Sequence, residues 1–239
     1  MRMITKDIGY ASGGTPLTGY LADGSGGKTA PGILICHQGG GLRDHEKDRA
    51  RMLADLGYVA FAADLYGEVA KDQGDAMRLL NGLVGDRPLW AARMLAGLAQ
   101  LKAQPNVDAA RLAAIGFCFG GMTVLELVRV TTDVKCVVAF HPGLTGLPES
   151  DPRPVTGKVI VCAGQKDPLI PDAARTQFLK LMAEANADLQ YINYSRAGHS
   201  FTDKGVAAFN IPNFEYHAAT DRRSWAAMRD LFGETLGPA

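Results

Sequence analysis

Three residues of this chain have the types and the order needed for covalent acyl chemistry: Cys118, Asp167 and His199. The cysteine lies in Gly116-Phe117-Cys118-Phe119-Gly120-Gly121, preceded by Ala113-Ala114-Ile115 and followed by an apolar run over 122–128. The pattern predicts a short buried strand, an abrupt turn at Cys118 and then a helix. That is the layout of a nucleophile elbow, with sulfur where serine oxygen is commoner. A chain that reverses within one residue strains the nucleophile's backbone and crowds the positions two away on either side. Gly116 and Gly120 remove the β-carbons that would collide there. The new helix also points unpaired N–H groups at the sulfur, favouring thiolate. Taken alone, such a string more often packs a core, because free cysteines are among the most buried residues. The order nucleophile, acid, histidine downstream is what makes it a candidate triad.

In that triad Cys118 attacks a carbonyl carbon, and His199 holds the sulfur as thiolate and later protonates the leaving group. Asp167 fixes the tautomer and orientation of the imidazole. The oxyanion needs two donors, for which the backbone N–H groups of Phe119 and Gly39 are the candidates. Thiolate is a good nucleophile near neutral pH but also a good leaving group, so an adduct with a poor leaving group collapses backward. Activated esters, lactones, enol esters and thioesters are therefore expected ahead of amides.

These residues must be positioned by the elements around them. Residues 3–8 and 17–22 alternate and flank Ser12-Gly13-Gly14-Thr15, which predicts a hairpin. Continuous apolar runs at 32–37 and 58–63 predict strands buried on both faces, and 111–116, 135–140, 158–163 and 189–194 are expected to be strands as well. Helical spacing is expected from about Asp44 to Gly57, over 72–103 with a break near 82–88, and over 119–130, 171–185 and 218–236. The alternation means a mostly parallel twisted sheet with an antiparallel N-terminal edge and helices on both faces. Ligands of such sheets bind beyond the carboxyl ends of the strands. Cys118, Asp167, His199, His37-Gln38-Gly39 and His141 all follow strand ends.

With 239 residues and 47% hydrophobic content, the chain has the material for one domain spanning 1–239. Lys+Arg and Asp+Glu balance at 25 each with no like-charge run, which argues against a nucleic-acid or membrane-surface partner held by bulk electrostatics. Nothing reads as a membrane-spanning run or a signal peptide. Cys36, Cys118, Cys136 and Cys162 are widely spaced without a zinc-like Cys/His pattern, so reduced thiols in a cytoplasmic protein are expected, with no metal.

The chain resembles the dienelactone hydrolase family. The resemblance rests on His37-Gln38-Gly39-Gly40-Gly41-Leu42, Ala63-Asp64-Leu65-Tyr66-Gly67, the Cys118 elbow, Gly164-Gln165-Lys166-Asp167-Pro168 and Gly198-His199-Ser200-Phe201. It implies a three-layer α/β-hydrolase fold, a Cys118–Asp167–His199 triad, hydrolysis of a cyclic enol ester and no cofactor. Two positions depart from the family pattern. A glutamate that helps deprotonate the cysteine is replaced by Gln38, which cannot accept a proton at neutral pH. An arginine that holds the substrate carboxylate is replaced within Ser200-Phe201-Thr202-Asp203-Lys204, where an acid stands.

The remaining candidates keep two readings each. His37, Tyr66, His141 and Phe201, with Gln38, are candidate pocket residues. His37 is equally a hydrogen-bonded loop histidine, and Tyr66 equally a packing residue. His45 and His217 are expected on a helix surface or at a helix start, Asp64 in a turn, and Asp172 at a helix start. Cys36, Cys136 and Cys162 are expected inside strands. The expected partner is a small ester or lactone, and the expected state a monomer or homodimer. Two rival readings use the same residues: a binding protein without turnover, or a thiol sensor that uses Cys118.

Overall fold

The computed structural model describes residues 3–145 and 153–239. Strand β1 (Ile4–Ser12) and strand β2 (Thr15–Asp23) form an antiparallel hairpin through Gly13 and Gly14, both at positive φ. They lead into β3 (Ala30–Cys36), β4 (Val59–Ala63), β5 (Val107–Phe117), β6 (Cys136–Phe140), β7 (Lys158–Gly164) and β8 (Leu189–Tyr194). The eight strands make one sheet in the order β1-β2-β4-β3-β5-β6-β7-β8. It is antiparallel as far as the β2–β4 pair and parallel from there on.

Side-chain alternation splits the core into two layers. Leu34, Cys36, Leu112 and Ala114 face one side, where α2 (Gln73–Val84), α3 (Arg87–Lys102), α4 (Phe119–Val130) and α5 (Asp172–Glu184) pack. Ile33, Ile35, Ala113, Ile115 and Phe117 face the other, under α1 (Asp44–Ala54) and α6 (Ala218–Leu236). Every residue of β3, β4 and β6 is buried, as strands covered on both faces must be. This is the three-layer α/β-hydrolase arrangement.

Three details go beyond the expected elements. Strand β5 begins at Val107 and pairs with β3 through a register shift between Pro31 and Gly32. Its first residues are half-buried or exposed and carry no apolar run, so periodicity misses them. Helix α1 is capped by Arg43, the residue before Asp44, and the Arg43 N–H donates to Glu46 Oε2 at 3.1 Å. A single 3-10 turn, Val206–Phe209, lies in a stretch without a sequence signal. In the described residues no helix is long and apolar enough to cross a membrane.

The sheet fixes how closely the elbow can approach it. A β-carbon on Gly120 would sit 2.0 Å from the Cys36 carbonyl oxygen, so α4 starts in direct backbone contact with β3. Gly120→Ala is therefore expected to destabilise the fold by about 3 kcal/mol, the upper range for overpacking. Gly233→Ala, in the exposed interior of α6 with nothing within 4 Å, is expected to stabilise by roughly 0.5–1 kcal/mol. Urea unfolding midpoints of the two variants check the opposite signs.

Candidate active site

Cys118 follows β5 directly and caps α4 at φ 53° and ψ −112°, a region L-residues rarely enter. Its N–H donates to the Phe140 carbonyl at 3.0 Å, which ties the turn to β6. A β-carbon on Gly116 would lie 1.9 Å from the Gly120 oxygen, so the strand and helix on either side of the cysteine touch backbone to backbone. The side chain is half-buried, whereas Cys36, Cys136 and Cys162 are fully enclosed in the sheet. Burial pushes the thiols of those three up to about 12, which keeps them protonated.

Asp167 and His199 follow β7 and β8. Their loops also meet at backbone contact, since a β-carbon on Gly164 would be 2.3 Å from the Gly198 oxygen. His199 Nδ1–H donates to Asp167 Oδ2 at 2.7 Å, with both side chains fully buried. The other carboxylate oxygen accepts the Leu169 N–H at 2.8 Å, so Asp167 is held from both ends. The backbone of His199 is braced by Asn213 and Glu215, and its ring lies 4.5 Å from that of Phe214. Its Nε2 is buried and finds no hydrogen-bond partner of good geometry among the described residues. Burial alone would lower the imidazole pKa. The negative charge available at Cys118 and the Asp167 hydrogen bond outweigh it and raise the pKa to about 10. A histidine so placed can hold a proton against the sulfur and release it to a leaving group.

The glycine-rich segment after β3 closes a turn, with the Gly41 N–H donating to the Gln38 carbonyl at 3.2 Å. The Gly39 N–H takes no protein partner among the described residues, and the same is true of the Phe119 N–H in the first turn of α4. The loop's ends are clamped by one carboxylate. Glu46 Oε1 accepts from the Gln38 N–H and Oε2 from the Arg43 N–H, each at 3.1 Å. Burial raises the pKa of Glu46 to about 7 against the pull of those hydrogen bonds. Sequence inspection misses this residue because the cap carries Arg43 where the capping-box signature has Ser or Thr.

The other candidates sort by location. His37 is fully buried: Nδ1–H donates to the Gln38 carbonyl at 2.7 Å and Nε2 accepts the Leu65 N–H at 3.1 Å. It is the hydrogen-bonded loop histidine, and it joins the β3 and β4 loops. Asp64 makes the expected turn, accepting from Tyr66 and Gly67 N–H. Tyr66 stacks on Phe119 with ring centroids 5.6 Å apart. His141 and Phe201 are buried, the His141 ring lying 5.2 Å from that of His199 and 5.0 Å from that of Phe201. His141 Nε2 and Thr202 Oγ1 share a 2.7 Å hydrogen bond. His45 stands at the start of α1, as expected, and is half-buried, with its ring packed on Phe117 at 4.7 Å. His217 caps α6 as expected, accepting the Thr220 N–H. Gln38 Nε2–H donates to Asp203 Oδ2 at 2.9 Å, so the two departures from the family pattern meet.

The dienelactone hydrolase family model matches residues 17–236, nearly the whole chain. The chain belongs to the dienelactone hydrolase family. Within it, a candidate carboxymethylenebutenolidase of Yersinia pestis is 31% identical over 219 residues, covering 84% of this chain and 77% of that protein. Among solved structures, one called m3DLH is 42% identical with a TM-score of 0.93, covering 98% of this chain and 99% of that one. A dienelactone-hydrolase-like promiscuous phosphotriesterase from metagenomic libraries is 37% identical with a TM-score of 0.91 and the same coverage. The chain is thus a dienelactone-hydrolase-like hydrolase.

The raised His199 pKa has a sign that can be checked. The folded protein binds this proton more tightly than the unfolded chain, where histidine titrates near 6.5. The stabilisation is complete below that value and is lost as pH rises through about 10. The Cys118 charge is the largest contribution that raises the pKa, so Cys118→Ala is expected to lower it. An NMR titration of the His199 ring in both proteins reads the shift. An unchanged value would assign the proton to Asp167 alone.

Proposed function

We propose that the chain is a cysteine-dependent hydrolase of small carboxylic esters and enol lactones, working through an acyl-enzyme on Cys118. The observation that carries this reading is the 2.7 Å His199–Asp167 hydrogen bond, made by a buried imidazole whose other nitrogen is influenced by the sulfur at the strained elbow. With the thiol proton held on His199 Nε2, the sulfur attacks the carbonyl carbon. The new C–S bond forms as the carbonyl π pair moves onto oxygen, where the Gly39 and Phe119 N–H groups receive it. Collapse expels the alkoxide or enolate, which takes the proton from His199. Water then attacks the thioester, with His199 as base, and releases the acid and the thiol.

A neutral substrate fits the surroundings best. The Gln38 side chain, next to Gly39, is tied to the Asp203 carboxylate, and the Asp203 N–H to the Ser200 carbonyl beside His199. A negative charge therefore flanks both loops. The same sulfur can attack a neutral phosphotriester, the chemistry named for the relative that is 37% identical. Working in the cytoplasm, as a monomer or homodimer, fits a chain whose four cysteines are all free.

The test is steady-state hydrolysis of neutral p-nitrophenyl esters, enol lactones and carboxylate-bearing esters by the wild type and Cys118→Ala. A fall in kcat/KM of about 10³ or more is expected, as for loss of a nucleophile. Neutral substrates should lead the panel. Equal, feeble rates in both proteins would favour a binder or thiol sensor.

A further inference from the structure

Tyr66 carries a polar atom that the fold leaves unused. The residue follows β4 at the carboxyl edge of the sheet and is 8% exposed. Its hydroxyl is buried and has no hydrogen-bond partner among the described residues. A phenol O–H buried without a partner is destabilising, and such groups in native proteins call for an explanation. Phenylalanine would fill the same space without that penalty.

The ring is held in one orientation by the elements that carry the candidate oxyanion donors. It stacks on Phe119 at 5.6 Å and 20°, and meets His37 edge-on at 4.7 Å. On the glycine loop, the place of a β-carbon on Gly41 is 3.7 Å from Tyr66 Cδ2. The tyrosine is therefore wedged between the loop that presents the Gly39 N–H and the helix turn that presents the Phe119 N–H. The Tyr66 N–H is fixed in turn by Asp64 Oδ1 at 2.9 Å, so the ring's base is anchored as well.

We infer that the Tyr66 hydroxyl is a third hydrogen-bond donor to the tetrahedral oxyanion formed at Cys118. The inference rests on the thiol mechanism proposed above. When the C–S bond forms and the carbonyl π pair moves to oxygen, Tyr66 donates its O–H to that oxygen and keeps the proton. Collapse of the adduct returns the hydroxyl to its unpartnered state. Burial, and after it the Cys118 charge, push the phenol above its ordinary pKa, so it stays a donor throughout the working pH range. A group unsatisfied in the resting enzyme and satisfied only while charge develops lowers the barrier without strengthening ground-state binding.

Tyr66→Phe removes one oxygen and keeps the ring. On a neutral p-nitrophenyl ester, kcat is expected to fall about 100-fold, the scale for losing an oxyanion donor. KM should stay within roughly twofold, because the contact exists only in the transition state. The urea midpoint of the variant should equal or exceed that of the wild type, an outcome a packing role does not give. Full kcat in Tyr66→Phe, with Cys118→Ala inactive, overturns the role of Tyr66 and leaves the thiol mechanism standing. Full activity in Cys118→Ala removes the mechanism and this inference together. A loss of kcat that comes with a lower urea midpoint assigns the effect to packing and also overturns the inference.

Discussion

Cys118 is held at φ 53° and ψ −112°, a backbone state costing about 1–3 kcal/mol for an L-residue. It persists because the surroundings leave the chain no other course. The Cys118 N–H is committed to β6, and the backbone of Gly120 rests on the last carbonyls of β3. Three parallel strands thus define one turn. Relaxing it would lift α4 off the sheet and open the core layer that α4 fills with Val124, Leu125 and Val128. The strain is balanced by burial distributed over the whole domain, so a site of a few atoms depends on a sheet of eight strands.

Charge around that turn is managed by burial as much as by pairing. His199 and His141 have ring centroids 5.2 Å apart, and two imidazolium ions at that separation in a low-dielectric interior would repel strongly. Burial first, and then His199, push His141 well below the ordinary histidine value. His141 therefore stays neutral, and the positive charge is left to the ring that has Asp167 behind it. Glu46 works the same way on the glycine loop. Its carboxyl group is fully enclosed, yet it spans two backbone N–H groups five residues apart, so the loop that presents Gly39 is pinned at both ends.

Much of this was legible in the chain because parallel strands buried on both faces write themselves as apolar runs. The runs at 32–37, 58–63, 135–140 and 158–163 match β3, β4, β6 and β7 to within two residues at either end, and α4 and α6 match in full. Chemistry at strand ends then follows from topology, which is why Cys118, Asp167 and His199 could be placed on one edge. The contacts that shape the site were not legible. Glu46 reads as one more charge on an amphipathic helix. His45 reads as a helix-surface or helix-start residue, and only the fold shows its ring packed on Phe117. Nor does any local pattern tell that Gln38 and Asp203, 165 positions apart, are hydrogen-bonded. Such pairs depend on how loops cross, and periodicity carries no information about that.

That last pair makes two departures from the family pattern into one. Gln38 donates its amide hydrogen to Asp203, accepts from Ser200 Oγ at 3.4 Å, and passes its backbone N–H to the buried Glu46. A glutamate at position 38 would set its carboxylate against that of Asp203 at hydrogen-bond distance. Glu46, whose pKa is already raised in part by Asp203, would sit close behind both. Three carboxylates in so little space could not all ionise. With an acid at 203, position 38 is best served by a neutral donor, and the amide is the glutamate-sized group that supplies one. On the proposed thiol mechanism the exchange leaves His199 to take up the Cys118 proton, with Asp167 holding its imidazole from behind at 2.7 Å.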